Sequence, residues 1–472
     1  MIDLTKVKKI HFTGIKGVGM TALALCAQDL GMQVTGSDVK EKFVTDQILA
    51  KRKIDWHLGF DPNKIDENTN LLVFTAAHGG PKNKEVAWAE SRRIPVLSQA
   101  QALGLFMKKK IGISTCGVGG KTTTASMLAT ILAEAGEKPS FAVGVGNILP
   151  LGVPGRYEIE GKYFIAEADE YFEPVKKMPK FLYQKPQIII LTNIEYDHPD
   201  VYPNLEKTLK AFRDFVEKLP KNGFLIANFD NKNVIKLLKL IQLGNKTVET
   251  FGFSRGAKWQ ITNYRIENNQ THFCLGGEEY SLLLPGRFNA ANAAACIIAA
   301  KKLSLSSTKI KRGLARFKGT KRRFEKISEI NGISLYDDYA HHPLQIRSTL
   351  AAAREWFGGR RILAIFQPHT YSRTKYLFND FCKSFTFVDQ VIITKIYASA
   401  REKEDLGVSG SDLAKGIAAC QGKAIYLPDQ NSIVAYLKKV CRSGDVIFTL
   451  GAGDIFLWHD KIINALKGEN LK

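Results

Sequence analysis

The stretch that most restricts how this chain can fold is residues 112–126, GISTCGVGGKTTTAS. An apolar run with β character, 111–114, enters it, and an alanine- and leucine-rich helical run, 125–134, leaves it. Between them stand Gly117, Val118, Gly119, Gly120, Lys121, Thr122, Thr123 and Thr124. Strand, glycine loop and helix in that order are what a phosphate-binding loop requires. Glycines let backbone N–H groups turn inward around phosphate oxygens, and the helix N-terminus adds a favourable dipole. Lys121 is placed to reach the β- and γ-phosphates, and the Thr122 hydroxyl to bind Mg2+. The full pattern wants glycine where the chain has Thr115, but the short form G-x-x-G-K-T-T-T is present. The bland alternative is a glycine-rich turn ahead of a surface helix.

Upstream, short apolar strands at 10–13, 33–36, 71–75 and 94–97 alternate with helical runs near 18–30, 42–51, 82–93 and 99–107. That alternation predicts a parallel, doubly wound sheet. Its first turn, GIKGVGM, carries Gly14, Lys16, Gly17, Val18 and Gly19, with the spacing G-x-x-G-x-G, the reverse of the dinucleotide fingerprint. Asp38 ends the second strand, where Rossmann-type sites place an acceptor for ribose hydroxyls. Together these point to a nucleotide or nucleotide-sugar site; a structural turn with a capping Asp is the alternative.

Downstream of the phosphate loop, an apolar run at 163–166 leads into Glu167-Ala168-Asp169-Glu170, and another at 188–191 leads into TNIEYDH, ending at His198. Open α/β sheets bind ligands at the carboxyl ends of strands. A carboxylate and a neutral imidazole there could hold Mg2+ beside Thr122. Singly, each acid reads equally as a cap or surface charge, and Asp197-His198-Pro199 as a turn. Residues 246–285 hold short strands with Asn-Asn and Gly-Gly turns, predicting an antiparallel excursion on the sheet edge. Asn289, in GRFN, precedes an alanine-rich helix and suits either an N-cap or an adenine contact.

A third unit begins near Arg322. A strand pair ends in DDYAHHP, Pro343 starts a helix, and a strand at 362–366 runs into QPHTYSRT. Further strands at 391–395, 424–427 and 445–450 predict another mostly parallel α/β sheet. With 472 residues the chain exceeds the roughly 250–300 at which a single core stops growing. The expected division is 1–108, 109–321 and 322–472.

The seven cysteines are scattered, odd in number and never spaced C-x-x-C, which suits reduced thiols in a cytoplasmic protein and argues against zinc or a disulfide frame. No apolar run approaches the roughly 18 residues of a membrane span, and no apolar segment of a signal peptide precedes the first strand. The net charge of +21 is compatible with nucleic acid, an anionic surface or anionic small substrates. The basic residues are spread along the chain, without a polybasic tail or an aromatic-interleaved repeat, so solvated faces are the simplest reading.

In this order the motifs resemble those of the Mur ligase family of peptidoglycan precursor synthesis, over essentially the whole chain from GIKGVGM to GAGDI. The resemblance implies an α/β protein of three domains: an N-terminal Rossmann-like sheet for a UDP-sugar, a central P-loop ATPase and a C-terminal Rossmann-like domain that closes over both. It implies that ATP phosphorylates the lactyl carboxylate of UDP-N-acetylmuramate and that the amine of L-alanine attacks the acyl phosphate. By motif, Gly117 to Thr123 serve ATP, with Lys121 and Thr122 on its phosphates and Mg2+. Glu167 and His198 match metal-associated positions, and Asn289 and Asn292 those near adenine. Arg323 matches the arginine that reaches the γ-phosphate, and Asp338 the ribose aspartate of the C-terminal domain. His341, His342, His369 and Arg373 fall near the amino acid, and Gly14 to Gly19 with Asp38 in the UDP-sugar domain. The implied partners are small molecules, with no nucleic acid and no membrane insertion.

The chain departs from the family at Lys16, where glycine is usual, at Gly119, where histidine is usual, and at Thr370, where arginine is usual. The long stretch from Glu167 to His198, with EADEYF and KFLYQKP, looks more like the family's recycling branch, which adds a murein tripeptide; QPHTYSRT points back to alanine. A basic ATP-dependent nucleic-acid-binding protein is the reading from another class, but it leaves the first glycine loop, DDYAHHP and QPHTYSRT unused.

Overall fold

Residues 188–191 are Ile-Ile-Ile-Leu, apolar without alternation, and such a run is stable as a strand only where a sheet is covered on both faces. In the computed structural model, which describes residues 2–242, 244–398, 402 and 405–468, it is a fully buried strand inside an eight-stranded sheet. The phosphate-loop strand, Ile111–Cys116, lies directly between this strand and Tyr163–Glu167. All three run parallel, with Glu167 opposite Thr115 and Leu191 opposite Cys116. Both acidic segments therefore emerge beside the glycine loop.

The first sheet has five parallel strands in the spatial order Asp55–Leu58, Gln33–Asp38, Lys9–Thr13, Leu71–Phe74, Val96–Ser98. Asp55–Leu58 was not anticipated: it is a short, mostly exposed edge strand, Asp-Trp-His-Leu, without the continuous apolar run that marks the others. The order reverses between Lys9–Thr13 and Leu71–Phe74, and the GIKGVGM turn leaves the first of these, at the switch point where such sheets bind ligands.

The predicted excursion is smaller than expected. Thr247–Gly252 and Trp259–Gln260 extend the central parallel sheet, and only Thr262–Glu267, Gln270–Leu275 and Glu278–Leu282 form a separate antiparallel sheet. In the last unit Ile333–Asp338, Val446–Leu450 and Ile362–Phe366 lie side by side, so DDYAHHP, GAGDI and QPHTYSRT project from neighbouring strand ends. The short pair Gly319–Thr320 and Ile148–Leu149 pins the end of the central unit just before Arg322. Among the described residues no helix is long and apolar enough to cross a membrane.

Candidate active site

The loop's shape follows from its glycines. Gly120 has φ +84° and caps the Lys121–Glu134 helix, and a Cβ there would stand 2.7 Å from Asn292 Oδ1. A Cβ on Gly117 would meet Thr192 Oγ1 at 2.2 Å. The Gly119 N–H donates to Asn193 Oδ1 at 2.8 Å, and Gln345 Nε2 donates to the Val118 carbonyl at 3.1 Å. Lys121 Nζ pairs with Glu170 Oε2 at 2.8 Å. Burial works against the ammonium, but Glu170, Asp169 and Glu167 outweigh it and hold its pKa above the ordinary lysine range.

Glu167 is the junction of the site. Its Oε1 accepts the Thr122 hydroxyl at 3.0 Å and its Oε2 the Gly144 N–H at 3.0 Å. Burial pushes its carboxyl up, against the pull of Lys121 and Arg323. A Cβ on Gly144 would stand 3.9 Å from Val18 Cγ2, so the helix that follows the first glycine loop meets Glu167 across that glycine. From the other side Arg323 Nη2 reaches Thr122 Oγ1 at 3.4 Å. The central and C-terminal units thus meet on the threonine of the phosphate loop, and the first unit comes up beside Glu167 through Val18.

His198 is offset from this junction. Its Nε2 lies 3.5 Å from Glu170 Oε1 and 3.7 Å from Asp197 Oδ2, so it faces the carboxylate that holds Lys121 rather than Glu167. Burial disfavours its charged form, but Asp197 and Glu170 raise its pKa above the usual value. Thr123 lines a cleft of about 940 Å3, mouth included, together with Asn289, Asn292, Arg323, Asp338 and His342. Asn289 is not an N-cap: Gly286 holds that position. The Asn289 amide donates to the Pro285 carbonyl at 2.7 Å, and its buried Oδ1 has no hydrogen-bond partner among the described residues. Asp338 accepts the N–H groups of Phe324 and Ala340, each at 2.8 Å.

The histidines expected at the amino-acid end divide. His342 caps the Pro343–Phe357 helix through the Leu344 N–H, and its Nε2 lies 3.3 Å from the Tyr196 carbonyl oxygen, on the same cleft. His341 and His369 meet edge to face at 6.3 Å, and burial with the nearby Arg373 charge holds His341 well below the usual imidazole pKa. Arg373 is already engaged. Its Nε donates to Asp197 Oδ1 at 3.0 Å and its Nη1 to the His369 carbonyl at 2.7 Å, with both charged side chains buried.

In the first unit Gly17 caps the helix Val18–Asp29, which contains Gly19, and Gly14 turns with φ +84°. Asp38 accepts backbone N–H groups from Lys16 and Val39, each at 2.7 Å. The Lys16 side chain is buried within its own unit. Its buried ammonium donates to the carbonyls of Val39 and Glu41, pairs with Asp46 at 3.3 Å and lies about 5 Å from the rings of Phe43 and Trp56. The residue that replaces the usual glycine therefore staples the following loop to the turn.

Three profiles of one family match in series: the Mur ligase family catalytic domain over residues 9–111, the Mur ligase middle domain over 116–300 and the Mur ligase glutamate ligase domain over 322–453. A UDP-N-acetylmuramate–L-alanine ligase of Desulfitobacterium hafniense is 38% identical over 453 residues, covering 95% of this chain and 97% of that protein. The chain belongs to the Mur ligase family. Among solved structures, the UDP-N-acetylmuramate–alanine ligase of Thermotoga maritima aligns with a TM-score of 0.79 at 25% identity, over 98% of this chain and 99% of that one. A murein peptide ligase from Psychrobacter arcticus shares the fold, with a TM-score of 0.72 at 23% identity over 98% of this chain and 100% of that one.

Several groups of this Mur ligase's site were not singled out from sequence. Glu170 and Asp197 stand inside the motifs already quoted, beside residues that were chosen. Asn193 and Thr192 open the TNIEYDH segment, and their contacts with the loop exist only because Ile188–Leu191 is the neighbouring strand. Gln345 carries no local signal at all.

Proposed function

We propose that this Mur ligase joins L-alanine to the lactyl carboxylate of UDP-N-acetylmuramate, converting ATP to ADP and phosphate in peptidoglycan precursor synthesis. The reaction class is carried by one observation: Lys121, Thr122 and Arg323, from two units, meet at the mouth of a helix N-terminus. Phosphoryl transfer needs cations around spreading negative charge and little covalent help from the protein. Lys121 and Arg323 supply fixed charge, and the loop N–H groups orient the phosphates. ATP lies in the cleft, with adenine near Asn289 and Asn292 and ribose near Asp338. The UDP-sugar lies over Gly14 to Gly19, with its lactyl carboxylate directed past Val18 toward Glu167. The carboxylate oxygen attacks the γ-phosphorus and ADP leaves. The amine then attacks the acyl carbon, loses a proton and expels phosphate. The acyl phosphate must be kept from water, and the contacts between units serve that end.

Thr122 and Glu167 suit Mg2+, a hard cation that takes carboxylate and hydroxyl oxygens together with waters and phosphate oxygens. Among the described residues no group of three or more His, Cys, Asp or Glu side chains is set to hold a metal by itself, which fits an ion shared with the nucleotide. Mg2+ bound there would neutralise phosphate charge. His198 would act one contact away, by holding Glu170.

L-Alanine as acceptor is supported by the relatives named above, with His341, His369 and Arg373 as the residues that would receive its carboxylate. ATP and a UDP-sugar as substrates place the reaction in the cytoplasm. The test is ATP-dependent phosphate release with UDP-N-acetylmuramate and either L-alanine or the tripeptide L-Ala-γ-D-Glu-diaminopimelate. Turnover with alanine and not with the tripeptide is expected. Efficient use of the tripeptide, with alanine inert at millimolar concentration, would assign the chain to the recycling branch.

A further inference from the structure

Arg323 sits in a turn that its own residues would not choose. Arg322 and Phe324, on either side of it, have φ of +63° and +48°, in the left-handed region that bulky L-residues enter only when their surroundings impose it. Here the surroundings are visible. Glu325 accepts the Arg322 N–H at 2.8 Å and Asp338 accepts the Phe324 N–H at 2.8 Å. The Tyr339 N–H donates to the Arg322 carbonyl at 2.7 Å. Each of these partners belongs to the C-terminal unit.

The Arg322 side chain completes the anchorage. Its Nε donates to Asp337 Oδ2 at 3.0 Å, Nη2 to the Gly451 carbonyl at 2.6 Å and Nη1 to the Gly453 carbonyl at 3.2 Å. Its guanidinium lies 5.2 Å from the ring of Tyr339 and 4.7 Å from that of Phe456. Asp337 is itself fixed by the Thr449 hydroxyl at 2.6 Å, with His459 Nε2 at 3.4 Å. On the other side of the turn, Lys318 and Lys321 donate their N–H groups to Leu149 and Asn147 of the central unit. The Arg323 N–H still donates to the Thr320 carbonyl at 3.3 Å, so the change of allegiance spans residues 320–323, with Arg322 and Phe324 held by the C-terminal unit.

We propose that Arg322 is a positioning residue. By locking the turn to the C-terminal sheet it makes Arg323 part of that rigid body, so that Arg323 and Asp338 reach the phosphate loop together when the units close. The inference rests on the reading that Arg323 meets the γ-phosphate. It separates the two adjacent arginines of KRRF: one carries charge to the nucleotide and the other, buried, aims it.

A double-mutant cycle tests this. Arg322→Lys keeps the charge and loses the planar fork that reaches three acceptors. It is expected to lower kcat by about 10²-fold, as a misplacement of about 1 Å can. It should weaken binding of the non-hydrolysable triphosphate AMP-PNP by about tenfold, the loss of roughly one good interaction. ADP binding should stay within about twofold, near the limit within which independent sites add. In an Arg323→Ala background the same substitution should cost AMP-PNP affinity almost nothing further, because the group it aims is gone. Equal losses in both backgrounds, or a folded Arg322→Lys protein with parental AMP-PNP binding, overturn the proposal. If Arg322→Lys fails to fold, Asp337→Asn takes its place in the same cycle. AMP-PNP binding needs no acceptor, so a parent protein inert with alanine and tripeptide sinks the ligase reading and leaves this test standing.

Discussion

A lysine withdrawn from water keeps its proton only if neighbouring anions outweigh the lost hydration, and Lys121 is held in that way by Glu170 at 2.8 Å. Lys121→Ala is expected to reduce ligation by about 10²–10³-fold or more, the usual effect of losing one preorganised charge at a transition state. Calorimetric titration should find UDP-sugar affinity nearly unchanged, because that ligand is proposed to bind a different unit; near-normal turnover would rule out this loop as the ATP site. Glu167→Ala and His198→Ala should each raise the Mg2+ needed for half-activity. Glu167→Ala should do so more strongly, since Glu167 touches Thr122 directly and His198 only faces Glu170. A Mg2+ titration that overlays the parent would reduce either residue to a cap or a surface group.

Elements hold the site through a few close approaches. The Ser307–Arg316 helix packs against Lys121–Glu134 at Gly313, where an added Cβ would stand 2.6 Å from Ile131 Cα. Backbone cannot yield there as a side chain could, so Gly313→Ala should destabilise the central unit by about 1–3 kcal/mol, seen as a lower Tm. Gly313→Ala melting like the parent would mean that the two helices can separate at no cost. In the first unit the Lys84–Ser91 helix carries Glu85 beneath two strand ends, where its Oε2 accepts the Thr13 hydroxyl at 2.7 Å and the Ser37 hydroxyl at 2.6 Å. Burial pushes the Glu85 carboxyl up, but His11 at 3.5 Å and the hydroxyls of Ser37 and Thr13 bring it below the ordinary value of 4.5. A depressed carboxyl contributes stability above its unfolded pKa and loses it as pH falls through the folded one. Burial also lowers His57 from 6.5, so the unfolded chain binds more protons there in mild acid, and the two effects add. Tm should therefore fall from pH 7 to pH 4; a Tm that stays flat over that range would remove Glu85 and His57 from the account.

At the scale of the molecule, the C-terminal unit is closed onto the central one by polar contacts that are buried at Arg373 and open to solvent at Tyr264. Arg373 holds Asp197 at 3.0 Å, Gln345 reaches the Val118 carbonyl, and Tyr264 donates to Glu355 at 2.7 Å. Removing one partner of a buried ion pair typically costs about 3–5 kcal/mol, because the other charge is stranded. Asp197→Ala should thus loosen the interface before it unfolds any unit. Small-angle scattering of the ligand-free protein is expected to show a larger radius of gyration than the parent, with a lower kcat. An unchanged radius would place the closure elsewhere.

Local chemistry alone determined the phosphate loop, because strand, glycines, lysine and helix are contiguous in the chain. It also determined the parallel α/β character, through apolar runs such as 188–191 that only a covered sheet can hide. The edge strand Asp55–Leu58 escaped notice because an exposed edge needs no such run. Which residues face one another was decided by strand order: Glu167 and Asn193 flank one loop because their strands are the two neighbours of Ile111–Cys116. The direction of a long side chain was decided later still. Lys16 turned inward to carbonyls and aromatic rings, His342 became a helix cap, and Arg373 closed on Asp197. A charged group buried at a junction takes whatever partners the packing brings within about 3 Å, since an unpaired one is costly there, and partners such as Asp46 for Lys16 and Asp197 for Arg373 lie tens to hundreds of residues away along the chain.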